Sequence, residues 1–397
     1  MGIADKLKGD TEGDVEQRYR RVLEGLLGVP ATEGNQVDVL RNGDEIFPAM
    51  LEAIKQAEHT VDICTYVYWT GDIADRFADA LSDRGRSGVR VRVLLDAAGA
   101  HSMSKDLVTQ MEDAGCDVEW FRRPQDVDGP SDLNHRTHRK VLVCDEAVAF
   151  IGGVGIAEEW EGDARDPSEW RETHVRVRGP AVDGLRAAFV SNWAETGKLL
   201  FDDHDRFPEQ PLPGSTIVQV VSCPSVVGWS PMGTVNTAMI KVARRHIKLT
   251  SAYFVPDERL LSLLCEASER GVTVDVLMPG DHTDKRIVQA AGESDYQDLL
   301  DAGVNIYRFS PTMIHAKVMT VDGYVGTVGS ANFDPRSLGL NEEANVVVFD
   351  TAVVGVLDRH FADDLERSEK VDPATWRKRG RLQRATEAVT GLIRKQL

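Results

Sequence analysis

Val61-Asp62-Ile63-Cys64-Thr65-Tyr66-Val67-Tyr68, a helical stretch from Ile73 to Asp83, and Gly88-Val89-Arg90-Val91-Arg92-Val93-Leu94-Leu95-Asp96 decide the fold, because the series returns later in the chain. The second copy runs Ile247-Lys248-Leu249-Thr250-Ser251-Ala252-Tyr253-Phe254-Val255, a helical stretch from Leu260 to Glu269, then Gly271-Val272-Thr273-Val274-Asp275-Val276-Leu277-Met278. Each final run is rich in Val and Leu, as a strand covered on both faces is. Each follows a Gly able to end a helix. Both halves add another helix–strand unit, Ser104–Ala114 with Cys116–Phe121 and Ser294–Ala302 with Val304–Phe309. Alternating helices and strands imply an α/β architecture with helices on the sheet faces.

The chain's 397 residues suit two or three units at a prior of roughly 150 residues each. Phe201 to Gly214 carries Pro208, Pro211 and Pro213 and reads as a surface linker. It divides a first unit, 37–200, from a second, 215–370. Residues 1–36 read as an N-terminal helical segment docked on the body, with Val15, Tyr19, Val22, Leu23 and Leu26 at helical spacing. With 42% hydrophobic and 28% charged residues the chain is globular. Its net charge of −18 opposes a protein whose main work is gripping nucleic acid through phosphates, so no nucleic-acid partner is expected. No apolar run is long enough to span a bilayer, and the first residues lack a signal-peptide core. Five scattered cysteines without a CxxC pair predict neither a disulfide framework nor a zinc site, and fit a reducing cytoplasm.

Each half carries the same polar constellation, H-x-K-x4-D: His138, Lys140 and Asp145, then His315, Lys317 and Asp322. His and Lys two apart on a strand point to one face. Small-residue turns follow, Gly152-Gly153-Val154-Gly155 and Gly329-Ser330-Ala331-Asn332, and such turns let backbone N–H groups approach a phosphate. A scrambled chain of this composition gives roughly 0.03 single matches, so two at equivalent places are far from chance.

These residues resemble the phospholipase D superfamily, marked by paired H-x-K-x4-D motifs followed by Gly-Gly or Gly-Ser, and within it the bacterial cardiolipin synthases. Trp170-Arg171-Glu172-Thr173-His174-Val175, Tyr253-Phe254-Val255-Pro256-Asp257, Gly329 to Ser337 and Leu340 to Asn345 carry the resemblance, which covers about residues 20–375. It implies two tandem phospholipase D-like domains, each a mixed β-sheet flanked by helices, paired by a pseudo-twofold axis around one shared active site. Gly155 stands where many relatives have Asn, while Asn332 is retained, so the two turns are unequal. Glu172 stands where Asp is more usual. The transmembrane helices of many relatives are missing, which implies a soluble or peripheral form, cytoplasmic and at the inner face of the cell membrane.

A phosphodiester needs a nucleophile, an acid for the leaving alkoxide and cations for its oxygens. Two His and two Lys supply these without a metal or other cofactor. The symmetry of the motifs does not decide which His attacks; the resemblance favours His138, with His315 as acid and then base. Lys140 and Lys317 bind the phosphoryl oxygens, assisted by Gly153, Ser330 and Asn332. The resemblance further implies that Glu343 and Glu172 orient His315 and His138; Asp145 and Asp322 end their strands and are expected to brace the site through ion pairs rather than touch substrate. His59, His101, His135, His174, His204, His246, His282 and His360 lack the spacing and default to structural roles, His135 doubling as a channel candidate. Tyr66, Tyr68, Trp69, Tyr253, Phe254, Trp229 and Met232 divide between core packing and the lining of a lipid-chain channel.

Trp376 to Leu397, within the tail 371–397, holds seven basic residues against Glu387 alone, with Leu382, Ala385, Val389, Leu392 and Ile393 near helical spacing. Such a helix either lies on an anionic membrane or docks on the acidic body. The expected reaction joins two phosphatidylglycerols, an anionic phospholipid, into cardiolipin and glycerol. Hydrolysis of phospholipids, nuclease action and a non-catalytic lipid scaffold are the alternatives.

Overall fold

The Val-rich runs become strands, and the duplication becomes a symmetric strand order. The structure, a computed structural model, describes residues 12–126, 129, 133–224 and 229–380. The first half contributes β1 (Thr32–Arg41), β2 (Thr60–Thr65), β3 (Arg90–Asp96), β4 (Asp117–Phe121), β5 (Val141–Cys144), β6 (Val148–Gly152) and β7 (Thr173–Arg178). The second contributes β8 (Thr216–Cys223), β9 (His246–Thr250), β10 (Thr273–Pro279), β11 (Asn305–Phe309), β12 (Val318–Val321), β13 (Val325–Gly329), β14 (Glu343–Phe349) and a short edge strand β15 (Ser368–Lys370). From the centre outward each half repeats one order, β1-β7-β6-β5-β2-β3-β4 and β8-β14-β13-β12-β9-β10-β11. Strands β2, β3 and β4 are parallel, as are β9, β10 and β11, while the inner ladders are antiparallel.

The two mixed sheets are continuous, not separate. Strands β1 and β8 pair antiparallel at Thr32–Val218 and Asn35–Thr216, making a single sheet of 15 strands. It folds over so that valines of both halves share one core, with Val141, Val143, Val175 and Val177 meeting Val328, Val346 and Val348. Strands β5 and β14 are buried throughout, which explains their near-continuous apolar sequence, whereas β7 alternates its valines with the half-buried Arg176 and Arg178. Helices close the other faces: Ile73, Phe77 and Leu81 of Asp72–Arg86 seal the first half, and Leu260, Leu263 and Leu264 of Glu258–Glu269 the second.

The N-terminal segment departs from its reading. Its helix, Glu12–Leu27, ends well before residue 36, and β1 already starts at Thr32. The helix docks on the second half, not the first, burying Tyr19 and Leu23 there while Leu26 stays exposed and Leu27 packs instead. Residues 197–215 hold neither helix nor strand. They are nevertheless pinned, because Asp205 pairs with the buried Arg90 at 2.6 Å and with Arg186. The basic tail beyond Gly380 lies outside the described residues. No helix among the described residues is long and apolar enough to cross a membrane.

Candidate active site

The His138-Arg139-Lys140 and His315-Ala316-Lys317 segments stand just before β5 and β12, one residue short of the strands expected to carry them. They leave their own ladders because each is stitched to the other half. The His138 N–H donates to the Glu342 carbonyl at 2.9 Å, and the Glu342 N–H to the Arg136 carbonyl at 2.8 Å. The symmetry-related pair joins His315 N–H to the Arg171 carbonyl at 2.8 Å and Arg171 N–H to the Met313 carbonyl at 2.9 Å.

These bridges cross the carboxylates over. His138 Nδ1 lies 3.0 Å from both carboxylate oxygens of Glu343. His315 Nδ1 lies 2.8 Å from Glu172 Oε2. A pairing of Glu343 with His315 and of Glu172 with His138 is therefore corrected: each histidine is held by the opposite half. With Nδ1 occupied, Nε2 is left for chemistry, and among the described residues neither Nε2 has a hydrogen-bond partner. Lys140 Nζ donates to the His138 carbonyl at 2.9 Å, and Lys317 Nζ lies 3.0 Å from His315 Nδ1. All six side chains are buried.

Burial dominates the electrostatics. It lowers the Lys140 ammonium to about 7 and the Lys317 ammonium to about 8, against the pull of Glu343 and Glu172. Burial and then the charges of Lys140 and Lys317 keep His138 well below the usual histidine range. Burial and Lys317 bring His315 down to about 4, despite Glu172. Each lysine acts on both histidines, in keeping with the crossed contacts that tie the two halves together. The carboxylates diverge. Burial raises Glu343 to about 7, only partly opposed by Lys140 and the Ser330 hydroxyl. At Glu172 burial is outweighed by the His315 hydrogen bond and the Lys317 charge, leaving it near 2. The site is thus a buried, cation-lined pocket whose lysines gain from an arriving anion.

The turns after β6 and β13 serve the carboxylates. Ser330 Oγ donates to Glu343 Oε2 at 2.5 Å, and its N–H is spent on the Ala344 carbonyl at 3.0 Å. The equivalent Gly153 has no hydroxyl, and a Cβ there would fall 2.5 Å from Glu172 Oε2. Asn332 is buried and its Oδ1 has no partner among the described residues, so it remains able to meet a ligand. At Gly155 a Cβ would fall 2.9 Å from both the Trp160 ring and Val67. An indole thus fills the space that Asn would use.

Asp145 and Asp322 are corrected. Among the described residues neither makes an ion pair; both close hairpins at the far ends of β5 and β12 from the histidines. Asp322 accepts from the N–H groups of Arg244, Arg245 and His246 and from the Tyr19 hydroxyl at 2.7 Å. Asp145 accepts from the N–H groups of Glu58, His59 and Thr60.

Aromatic residues wall the pocket unequally. Tyr66 meets the His138 ring at 5.1 Å, whereas His315 sits between Trp160 at 5.2 Å, Trp170 at 5.6 Å and Tyr253 at 6.4 Å. Tyr68, Phe254 and Met232 belong to the cores, while Trp229 is exposed. His135 Nδ1 lies 3.0 Å from the Leu340 carbonyl, partly buried. His174 is buried beneath Gly152 with neither ring nitrogen partnered among the described residues.

Sequence reasoning missed the groups that fix the crossed bridges. Arg171, only 2% exposed, is clamped by Asp364 at 2.9 Å, and Glu342 is approached by Arg139 at 3.6 Å and Arg122 at 3.5 Å. Their one visible signal is a charged residue directly before each carboxylate in a buried stretch.

A family model described as "Cardiolipin synthase, PLD-like domain" matches residues 50–160 and 237–365. A cardiolipin synthase of Geobacillus sp. (strain WCH70) is 33% identical over 98% of this chain and 79% of the relative. That of Geobacillus kaustophilus is 34% identical over 92% of this chain and 73% of the relative. In fold the chain resembles the phosphatidylserine synthase of Haemophilus influenzae, with a TM-score of 0.66, 14% identity, and coverage of 96% of this chain and 100% of the other. The repeated motif, the paired sheets and these relatives agree: the chain belongs to the phospholipase D-like cardiolipin synthase family.

Proposed function

We propose that the protein transfers a phosphatidyl group from one phosphatidylglycerol to a hydroxyl of a second, forming cardiolipin and releasing glycerol. The observation that carries this reading is the pair of crossed hydrogen bonds, 3.0 Å at His138 and 2.8 Å at His315, which frees two Nε2 atoms in one lysine-lined pocket. The names of the relatives supply the lipid class.

In the first step His138 Nε2 attacks phosphorus and a P–N bond forms. The P–O bond to glycerol breaks, and the leaving oxygen takes the proton carried by His315 Nε2. In the second step the hydroxyl of another phosphatidylglycerol gives its proton to His315. Its oxygen attacks phosphorus, the P–N bond breaks, and His138 is restored. Glu343 and Glu172 hold the Nδ1 protons throughout. Lys140 and Lys317 neutralise the phosphoryl oxygens, so the scheme calls for no metal. Arrival of the anionic phosphate raises the proton affinity of His315 beside the ionised Glu172, which makes it a competent acid. The reaction is assigned to a peripheral protein at the inner membrane face.

The test mixes purified protein with phosphatidylglycerol liposomes and EDTA, and identifies products by mass spectrometry. Cardiolipin with free glycerol, lost in His138→Ala, is expected. Phosphatidic acid instead would make the protein a hydrolase. An unaffected His138→Ala variant would overturn the assignment of the nucleophile.

A further inference from the structure

A phosphatidyl group cannot reach a buried histidine unless the pocket mouth meets the leaflet. This inference rests on the proposed lipid reaction and asks which face makes the contact. Three large apolar side chains stand exposed on segments that adjoin or contact site residues: Leu133, Trp229 and Ile287, at 37%, 50% and 58%. Contacts on the page tie each to the site. Leu133 adjoins Asn134, whose Oδ1 accepts from Arg336 at 2.9 Å, and Arg336 lies in the short helix Pro335–Gly339. Trp229 lines a groove with Pro335 and Leu338 of that helix. Ile287 is two residues from Lys285, whose Nζ lies 5.0 Å over the Tyr253 ring, and Tyr253 faces His315.

The charges between these residues are mainly basic. Lys285 and Arg286 are exposed and make no ion pair among the described residues. Arg336 donates to neutral Asn134. Asp284 accepts from the Tyr253 hydroxyl at 2.7 Å and keeps its charge, and buried Asp334 caps the Pro335–Gly339 helix, so the rim is basic by the excess of Lys285, Arg286 and Arg336 over Asp284. In a chain of net charge −18 this cationic rim is a local inversion. An apolar fringe interleaved with unpaired cations is what an anionic leaflet binds, apolar groups entering the acyl boundary and cations meeting headgroups.

We infer that the rim built from Leu133, Trp229 and Ile287 with Lys285, Arg286 and Arg336 is the surface by which the protein docks on an anionic bilayer, mouth down. The rim docks the full chain whether or not the basic tail is charged.

Flotation of the full chain with phosphatidylglycerol vesicles tests it. A Trp229→Ser/Ile287→Ser variant is expected to bind about tenfold more weakly or worse, since two exposed side chains of this size lose their burial. A full chain with Arg381, Arg384, Arg394 and Lys395 changed to Gln is expected to bind as the unaltered protein does. Should the rim variant fail to fold, as circular dichroism would show, quenching by brominated phosphatidylglycerol decides. Trp229 is the one exposed tryptophan among the described residues, and Trp229→Phe is expected to abolish most of the quenching. Equal binding by the rim variant, loss only in the tail variant, or quenching unchanged by Trp229→Phe would each overturn the inference while cardiolipin formation stands. Failure to form cardiolipin by protein that still floats through its rim would overturn the reaction and leave the docking face intact.

Discussion

At the scale of single residues, the two half-sites are copies with different proton affinities, Glu343 raised by burial and Glu172 held low by the His315 hydrogen bond and the Lys317 charge. Ser330 donates a hydroxyl to Glu343, whereas Gly153 has none to give, and Glu172 accepts from the Thr173 N–H at 2.9 Å besides meeting His315. Gly153→Ala is therefore expected to cost activity more than most glycine exchanges. Its Cβ would sit 2.5 Å from a carboxylate oxygen held rigidly by His315. Overpacking of about 1–3 kcal/mol and a displaced Glu172 follow, read as a lower melting temperature and a fall in kcat. The lysines set a pH signature. Lys140 and Lys317 titrate near 7 and 8 in the folded chain, against 10.5 ordinarily. As pH rises through that window the empty enzyme loses its phosphate-binding charge, so kcat/KM is expected to fall above about pH 8. Stability moves the other way. Between the folded and ordinary values the unfolded chain binds more protons, so stability rises with pH there, and the depressed pKa values cost stability as pH falls from about 10 to 7. Denaturant melts at pH 8 and 10 and a kcat/KM profile check both signs; an alkaline limb near 10 would show that the lysines are not desolvated.

At the scale of elements, the H-x-K-x4-D spacing measures a strand and its turn. The hairpins Cys144–Ala147 and Val321–Tyr324 have positive φ at both central residues, 53° and 57° at Asp145 and Glu146, 58° and 77° at Asp322 and Gly323. That is the turn that suits a twisted two-stranded ladder. The Asp of the motif opens this turn and ties it to the neighbouring strand. Asp322→Ala would strand three backbone N–H groups and the Tyr19 hydroxyl, costing about 3 kcal/mol or more. The expected outcome is a melting temperature lower by several degrees with kcat of the folded enzyme nearly kept, whereas Lys317→Ala abolishes turnover without comparable destabilisation. The Asp322-Gly323 pair between apolar runs is a legible hairpin signal. The strands themselves were legible because burial on both faces leaves a continuous Val-rich run. Helix Arg286–Glu293 was not, being short and preceded by the polar run 281–285.

At the scale of the whole molecule, the duplication was visible in sequence and its crossing was not. Local spacing speaks of neighbours along the chain, whereas His138 and Glu343 are 205 residues apart and His315 and Glu172 143. What decides the partner is the bridge between halves, and that bridge rests on buried charge. Arg171 Nε and Nη2 meet the Asp364 carboxylate at 3.0 and 2.9 Å, and Arg41 donates to the same carboxylate at 2.9 Å. Asp364 lies in the second half's helix Thr351–Glu366, so this cluster fastens the strand entering Glu172 to the body that carries His315. Asp364→Asn keeps the shape but leaves a buried guanidinium without its counter-charge, which costs about 3–5 kcal/mol. Because Arg171 also receives the His315 N–H through its carbonyl, the loss falls on the His315 half-site and not only on stability. If His315 serves both steps, Asp364→Asn slows formation and discharge of the intermediate alike, and no phosphatidyl–enzyme accumulates. Glu343→Gln weakens the attack by His138 alone and likewise shows no accumulation, but it leaves the melting temperature nearly unchanged, because no interhalf guanidinium is orphaned. Rapid-quench labelling with radioactive phosphatidylglycerol, run beside thermal melts of both variants, separates the two. An Asp364→Asn protein that melts as the unaltered chain does would show that the bridge is held by its backbone hydrogen bonds, with the ion cluster idle.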